Sequence, residues 1–318
     1  MFRGICRRAE IVINLDPWFA ETTLMTNGSA AKVALVLHHV NLDDANAKFV
    51  AQADIPVVAC EEAGRFLTSV GVLKQSPLLV ENGVDLELFR PLDRGQCRAE
   101  FGIEDSDFVV GYVGKASSDY GGRKGLDSLR KLITECLKES RTRFLFAGRG
   151  WEKWIGRIEG ANSRIKCVGF LEERRFARFY NCVDIIASTS RIEAGPATVL
   201  EALACGTPVV ATRTGIVDKV VVNDVTGWVF EREDVDGMLK KLFELEAHPD
   251  CVQSMRRECR RVIEEKWAWG TKMKPLIEAV KASSSPGQNR LSIGIYRFIA
   301  ARVEQVIVNV ERRFQGAL

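Results

Sequence analysis

Short unbroken apolar runs alternate with stretches of helical periodicity along most of the chain. The runs fall at Glu10–Leu15, Lys32–Leu37, Ile55–Ala59 and Pro77–Val80, then at Phe108–Val113, Arg143–Ala147, Ile165–Gly169, Val183–Ser188, Thr207–Ala211 and Gly227–Phe230. Most are continuous Val/Ile/Phe segments rather than alternating ones, the pattern of parallel strands covered on both faces. Between them, Lys124–Glu139 carries Leu126, Leu129, Leu132, Ile133, Cys136 and Leu137 at helical spacing. Glu172–Asn181, Ala197–Ala204, Val235–Leu245 and Gln253–Lys266 read the same way, with Asp234 or Asp236 as an N-cap and Gly206 just past a helix end. The alternation predicts an α/β fold built on parallel sheets.

The polar stretch Asp93–Ser106 separates the two strand series. It predicts a shortened N-terminal Rossmann-like domain over residues 1–100 and a complete, nucleotide-binding-sized Rossmann-like domain over 101–285. Ser283-Ser-Ser-Pro-Gly287 reads as a linker to an amphipathic C-terminal helix within 286–318. There Ile295, Tyr296, Ile299, Val303, Val306, Ile307, Val310 and Phe314 share one face.

Composition narrows the class. With 46% hydrophobic and 27% charged residues, the 318-residue chain has material for a core and charge to keep it in solution. A net charge of +3 is too small to argue for nucleic acid, and the excess lies after Gly287, where Arg290, Arg297, Arg302, Arg312 and Arg313 face only Glu304 and Glu311. Nine scattered cysteines, odd in number and without a CxxC, argue against a disulfide framework and for a reducing cytoplasm. No apolar run approaches the roughly 18 residues of a membrane span, and Ile11–Leu15 is too short for a signal sequence.

The sharpest chemical feature is Arg191-Ile-Glu193-Ala-Gly195-Pro196-Ala197-Thr198-Val-Leu-Glu201-Ala-Leu-Ala-Cys-Gly206-Thr-Pro208. It reads as a strand end, a Gly-Pro loop, a helix, a glycine turn and a second buried strand. Free N–H groups around Ala197–Val199 suit a phosphate. Glu193 just before the helix, and Glu201 roughly two turns along it, can accept hydrogen bonds from two sets of sugar hydroxyls. The bland alternative is an N-terminal acid favoured by the helix dipole and a solvated Glu201. A second feature, Val109-Val-Gly111-Tyr-Val-Gly114-Lys115 followed by Gly121-Gly-Arg123-Lys124-Gly125, runs a buried strand into a glycine loop with three cations. It is not a P-loop, because Lys124 is followed by Gly125, and there is no GxGxxG for a nicotinamide.

Together these strings resemble the E-x7-E signature of retaining GT-B glycosyltransferases of the GT4 type, glycosyl transferases group 1. Supporting matches lie in family order: Val80-Glu-Asn82-Gly83-Val84-Asp85 through Phe89-Arg-Pro91, Gly114 to Lys124-Gly125, Phe146-Ala-Gly148-Arg-Gly150, Val168-Gly169-Phe170-Leu171, and Thr226-Gly227. The similarity spans about Lys32 to Lys281. The resemblance implies two Rossmann-like domains facing a cleft, with the C-terminal one binding a UDP- or GDP-sugar and the N-terminal one an acceptor. It assigns catalysis to Glu193, Lys124 and His38, the last following a buried strand, with His39 as the alternative. Donor binding falls to Lys115, Gly114, Gly169, Phe170, Gly195, Pro196, Ala197, Thr198 and Glu201. Glu193 would contact the donor sugar, Glu201 the ribose, the two lysines the diphosphate, and the Gly169–Leu171 turn the base. Transfer would proceed with retention, without metal or cofactor.

Three departures from the family stand out. The N-terminal half lacks the family's opening strand and glycine loop. Lys115 replaces the usual Arg with a point charge that has no bidentate fork. The segment Ala116–Gly122 lengthens the loop between the cations. A shortened half leaves open an inactive nucleotide-sugar-binding subunit, or a partner subunit that completes the N-terminal domain. The expected acceptor is a sugar or lipid-linked glycoconjugate. The basic tail reads either as a peripheral contact with the inner membrane face or as a helix packed across the first domain.

Overall fold

The computed structural model describes residues 11–14, 32–37, 53–73, 76–116, 122–156, 158 and 164–283. Strands β1 (Ile11–Asn14), β2 (Lys32–Leu37) and β3 (Ile55–Val58) come first, then helix α1 (Glu61–Ser69) and β4 (Leu78–Leu79). Helix α2 (Arg94–Phe101) leads into β5 (Val109–Val113), α3 (Leu126–Glu139), β6 (Arg143–Ala147), α4 (Trp151–Ile155), β7 (Ile165–Cys167) and α5 (Glu173–Cys182). There follow β8 (Ile185–Ser188), α6 (Ala197–Ala204), β9 (Val209–Thr212), α7 (Val217–Val220) and β10 (Gly227–Phe230). Helices α8 (Val235–Ala247), α9 (Pro249–Lys266), α10 (Trp269–Lys272) and α11 (Lys274–Ser283) end the described chain. The alternation of apolar runs and helical patterns therefore becomes an α/β fold with two parallel sheets.

The chain forms two compact units, Met1–Gly83 with Trp269–Leu318, and Val84–Ala268. The first holds a sheet in the order β1-β2-β3-β4, so strand order follows chain order and no reversal occurs among the described strands. Its described core centres on Val57 of β3, Val80 and Leu276 of α11, with Ile55, Leu78 and Met273 at the margin. A largely buried ion pair, Lys272 Nζ to Glu81 Oε2 at 2.8 Å, ties the returning segment to the strand exit.

The second unit holds six parallel strands in the order β10-β9-β8-β5-β6-β7. Counted from β5, this is the 3-2-1-4-5-6 order of dinucleotide-binding sheets, read from the β7 edge. Strands β5, β6, β8 and β9 are buried almost throughout, as their unbroken apolar runs require.

The partition differs from the expected boundaries at 100 and 285. Residues 84–101 belong to the second unit because α2 is anchored there. Phe101 packs edge-on against Phe179 of α5, with ring centroids 6.0 Å apart. Arg94 donates to Asp184 Oδ1 at 2.6 Å, and the buried Arg98 guanidinium lies 3.5 Å from Asp184 Oδ2. The polar look of Asp93–Ser106 thus reflects charges drawn into an ion-pair network, not the boundary between the two units. Residues 269–283 return to the first unit because Leu276 fills its core. The amphipathic segment 286–318 lies outside the described residues.

Candidate active site

The order of the second sheet places a crevice before any side chain is considered. Beyond β5 the chain turns to β6 and β7 on one side, and it comes back to β8 on the other. Ligands of open parallel sheets sit outside the carboxyl ends of the strands at such a reversal. Gly114 and Lys115 follow β5, while Thr189 to Glu193 follow the neighbouring β8. Lys115 is exposed at that rim.

Lys124 and Glu193, 69 residues apart, meet there. Lys124 Nζ forms an ion pair with Glu193 Oε1, and the Ser190 hydroxyl donates to the same oxygen at 3.2 Å. The loops carrying them are laced through the backbone. Thr189 Oγ1 donates to the Lys124 carbonyl at 3.0 Å, and Tyr112 Oη does so at 3.4 Å. Arg191 N donates to the Arg123 carbonyl at 2.7 Å. Burial pushes the Tyr112 phenol well above its ordinary pKa, so it remains a donor throughout the working pH range. Gly125 makes this lacing geometrically accessible. It caps α3 at φ +59°, and a Cβ there would lie 2.0 Å from the Thr189 carbonyl oxygen.

Arg191 adds a second tie that sequence reasoning did not assign. Its guanidinium grips both Asp127 oxygens, at 2.6 and 2.7 Å, and both Glu233 oxygens, at 2.8 and 3.2 Å. The hydrogen bond from Arg191 holds the Asp127 carboxyl below its ordinary pKa. Its place inside the Arg191–Glu201 string was the available signal. Gly215 was also missed and carries no comparable signal. At φ +53° it passes so close beneath the loop that a Cβ would lie 2.1 Å from the Ala194 carbonyl oxygen and 2.5 Å from that of Glu193.

Helix α6 starts just after Glu193. Pro196 sits at its N-cap, no side chain caps its first turn, and Ala197 and Thr198 are half-buried. Gly195 and Pro196 set the turn that brings these amides towards the strand ends. Every residue from Val199 to Ala204 is buried, so the helix is a packed core element with only its beginning accessible. Glu201 falls little more than one turn into α6, not two, and it is 3% exposed. It is no solvated helix residue: Tyr180 Oη donates to its Oε2 at 2.7 Å within the core.

Gly169 and Phe170 follow β7, which lies two strands from β5 and therefore about 10 Å along the sheet at the usual interstrand spacing. The Gly169 carbonyl accepts Gly148 N at 2.7 Å. The Phe170 ring is 64% exposed, and the Arg149 guanidinium stands 5.1 Å from its centre. His38 and His39 lie outside the described residues, as do residues 117–121 of the lengthened loop. No group of three or more His, Cys, Asp or Glu placed to hold a metal occurs among the described residues. No described helix is long and apolar enough to cross a membrane.

Residues 107–248 match the family model for glycosyl transferases group 1. Among curated proteins, D-inositol 3-phosphate glycosyltransferase of Segniliparus rotundus is 28% identical over 221 residues, covering 66% of this chain and 48% of that protein. The GDP-mannose-dependent monoacylated alpha-(1-6)-phosphatidylinositol monomannoside mannosyltransferase of Corynebacterium glutamicum is 30% identical over 59% of this chain and 51% of its own length. The chain thus spans about half the length of these relatives. Among solved structures, sucrose-phosphate synthase of Thermosynechococcus elongatus superposes with a TM-score of 0.75 at 18% identity, covering 86% of this chain and 74% of that one. Anabaena HepE in complex with UDP and glucose gives 0.74 at 15% identity, covering 88% and 80%. These likenesses identify the fold as that of the GT-B glycosyltransferases. Through residues 107–248, the chain is thus similar to the glycosyl transferases group 1 family.

Proposed function

We propose that this chain transfers a sugar from a nucleoside diphosphate sugar, UDP- or GDP-linked, to a sugar or lipid-linked acceptor in glycoconjugate synthesis. The observation that carries this reading is the Lys124–Glu193 pair at the strand-order reversal, beside the uncapped start of α6. A cation and a carboxylate held there by backbone lacing suit a ligand with both a diphosphate and hydroxyls. Lys124, Lys115 and the amides of Ala197 and Thr198 take the diphosphate, where negative charge grows as the glycosidic bond breaks. Glu193 accepts from donor-sugar hydroxyls, Glu201 from the ribose, and Gly169–Phe170 flank the base. Entry of the donor exchanges the Lys124–Glu193 contact for contacts to the diphosphate and to the sugar.

Departure of the diphosphate on the face that the acceptor approaches gives retention. The leaving phosphate takes the acceptor proton, so neither a metal nor a cofactor is required. The same proposal keeps His38 as a catalytic residue. The finer placements follow the same proposal: a cytoplasmic enzyme whose segment 286–318 touches the inner membrane face. A second reading is a donor-binding subunit completed by a partner chain.

Calorimetric titration with UDP, GDP and their sugar conjugates, repeated on Glu201→Ala, tests the proposal. Micromolar affinity for one base, lost in the variant, is the expected result. Absence of affinity for every nucleotide would overturn it. Turnover that requires a second protein would select the subunit reading.

A further inference from the structure

Glu201 poses a physical problem that the donor-binding reading does not solve. A carboxylate 3% exposed within an apolar helix is costly unless donors meet its oxygens, and its rotamer must be fixed if it is to receive hydroxyls in one geometry. Only part of its acceptor capacity, about four lone-pair sites, can be used by the protein if any is to serve a ligand. Tyr180 supplies one donor, 2.7 Å from Oε2. Its placement is over-determined. The ring is fully buried, edge-on to Phe89 at 6.0 Å and to Phe179 at 5.9 Å. The Tyr180 carbonyl accepts Thr207 Oγ1 at 2.6 Å, just beyond the end of α6. The next residue, Asn181, accepts Leu92 N at 2.9 Å and donates to the Arg90 carbonyl at 3.0 Å. Helix α5 is thereby clamped from both sides of the phenol.

We propose that Tyr180 is a positioning residue that locks the Glu201 carboxylate in the orientation that receives the ribose hydroxyls of the nucleotide. The inference rests on the reading of Glu201 as the ribose-binding carboxylate. Without the phenol, the carboxylate rotates to seek another donor, and its alignment to the ribose is lost. Tyr180 itself touches neither the sugar nor the phosphate, so its removal acts on ribose recognition and spares the diphosphate contacts.

The test measures discrimination between the ribonucleoside diphosphate that binds, UDP or GDP, and its 2′-deoxy and 3′-deoxy counterparts. Wild type, Tyr180→Phe and Glu201→Gln are compared by calorimetry. Wild type is expected to prefer the ribonucleotide on the order of ten-fold, the worth of a hydrogen bond to a charged group. That preference should fall to within about three-fold in both variants. Should Glu201→Gln abolish it while Tyr180→Phe keeps it in full, the Tyr180 proposal fails and the Glu201 reading stands. If Glu201→Gln keeps it, or wild type shows none, both fail. A merely structural phenol would lower the melting temperature and leave the preference untouched.

Because Tyr180→Phe can impair folding, a second measurement uses the native sequence. The chain has four tyrosines, so 3-fluorotyrosine labelling gives four fluorine resonances, assignable by elimination through Tyr112, Tyr120 and Tyr296 substitutions. The Tyr180 resonance should shift with the ribonucleotide and much less with the deoxynucleotides. Equal shifts, or none, would overturn the proposal.

Discussion

Gly125→Ala is the substitution for which the structure sets the magnitude most directly. At φ +59° an alanine occupies the left-handed region, at a cost of about 1–2 kcal/mol. Its Cβ would also lie 2.0 Å from the Thr189 carbonyl oxygen, where real contacts stay above 3.0 Å. The two loops must therefore separate by about 1 Å, and the obstacle is backbone rather than a yielding side chain. Separation breaks the bonds from Thr189 Oγ1 to the Lys124 carbonyl and from Arg191 N to the Arg123 carbonyl. Each of these contributes about 1 kcal/mol. The expected loss is about 3–4 kcal/mol, read from the urea midpoint at unchanged slope. Lys124 and Glu193 move apart with their loops, and a 1 Å misplacement costs on the order of 100-fold in turnover. Gly122→Ala is the matched control: a Cβ there meets nothing within 4 Å, so stability should stay within about 0.5 kcal/mol. A Gly125→Ala protein with wild-type midpoint and donor affinity would refute the argument that this contact positions the site.

On the proposed donor site, where Lys124 takes the diphosphate, Lys124→Met should weaken UDP or GDP on the order of ten-fold while leaving the parent nucleoside unchanged; equal losses for both ligands would remove Lys124 from that role. Asp184→Ala should destabilise by about 3–5 kcal/mol, measured by denaturant unfolding. It strips the partner from Arg98, 1% exposed, and the acceptor from Val109 N at 2.8 Å. Asp127 should titrate below its ordinary value of 3.8 because Arg191 favours its charged form. Its contribution to stability is then present above that value and lost as pH falls through the lower folded pKa. Carboxyl carbon NMR checks this, and Arg191→Ala should return the titration to the usual aspartate range.

How much was legible in the sequence can be judged element by element. Helix α6 and strand β10 were readable to the residue, because Gly-Pro punctuation brackets one and Thr226-Gly227 opens the other. Asp234 or Asp236 was readable as an N-cap, and the structure selects Asp234, whose Oδ1 accepts Gly237 N at 2.9 Å. Helix α3 was predicted from Lys124 but starts at Leu126, since Gly125 spends its left-handed conformation on close passage beneath Thr189. Helix α2 was missed although local signals bracket it: Asp93 Oδ1 accepts Gln96 N at 2.7 Å at its start, and Gly102 closes it at φ +63°.

The local code thus determined that this chain forms parallel α/β units, and it showed which strings carry cations, carboxylates and glycines. Those properties depend on hydrophobic period and on backbone permissiveness, both of which act over a few residues. Tertiary structure alone decided that Lys124 would meet Glu193, that Arg191 would bridge Asp127 and Glu233, and that Tyr180 would cap a buried Glu201. It also decided that residues 269–283 would return to the first unit. Each outcome depends on strand order and on which charges share a low-dielectric interior, and those are relations among distant residues that no local pattern encodes.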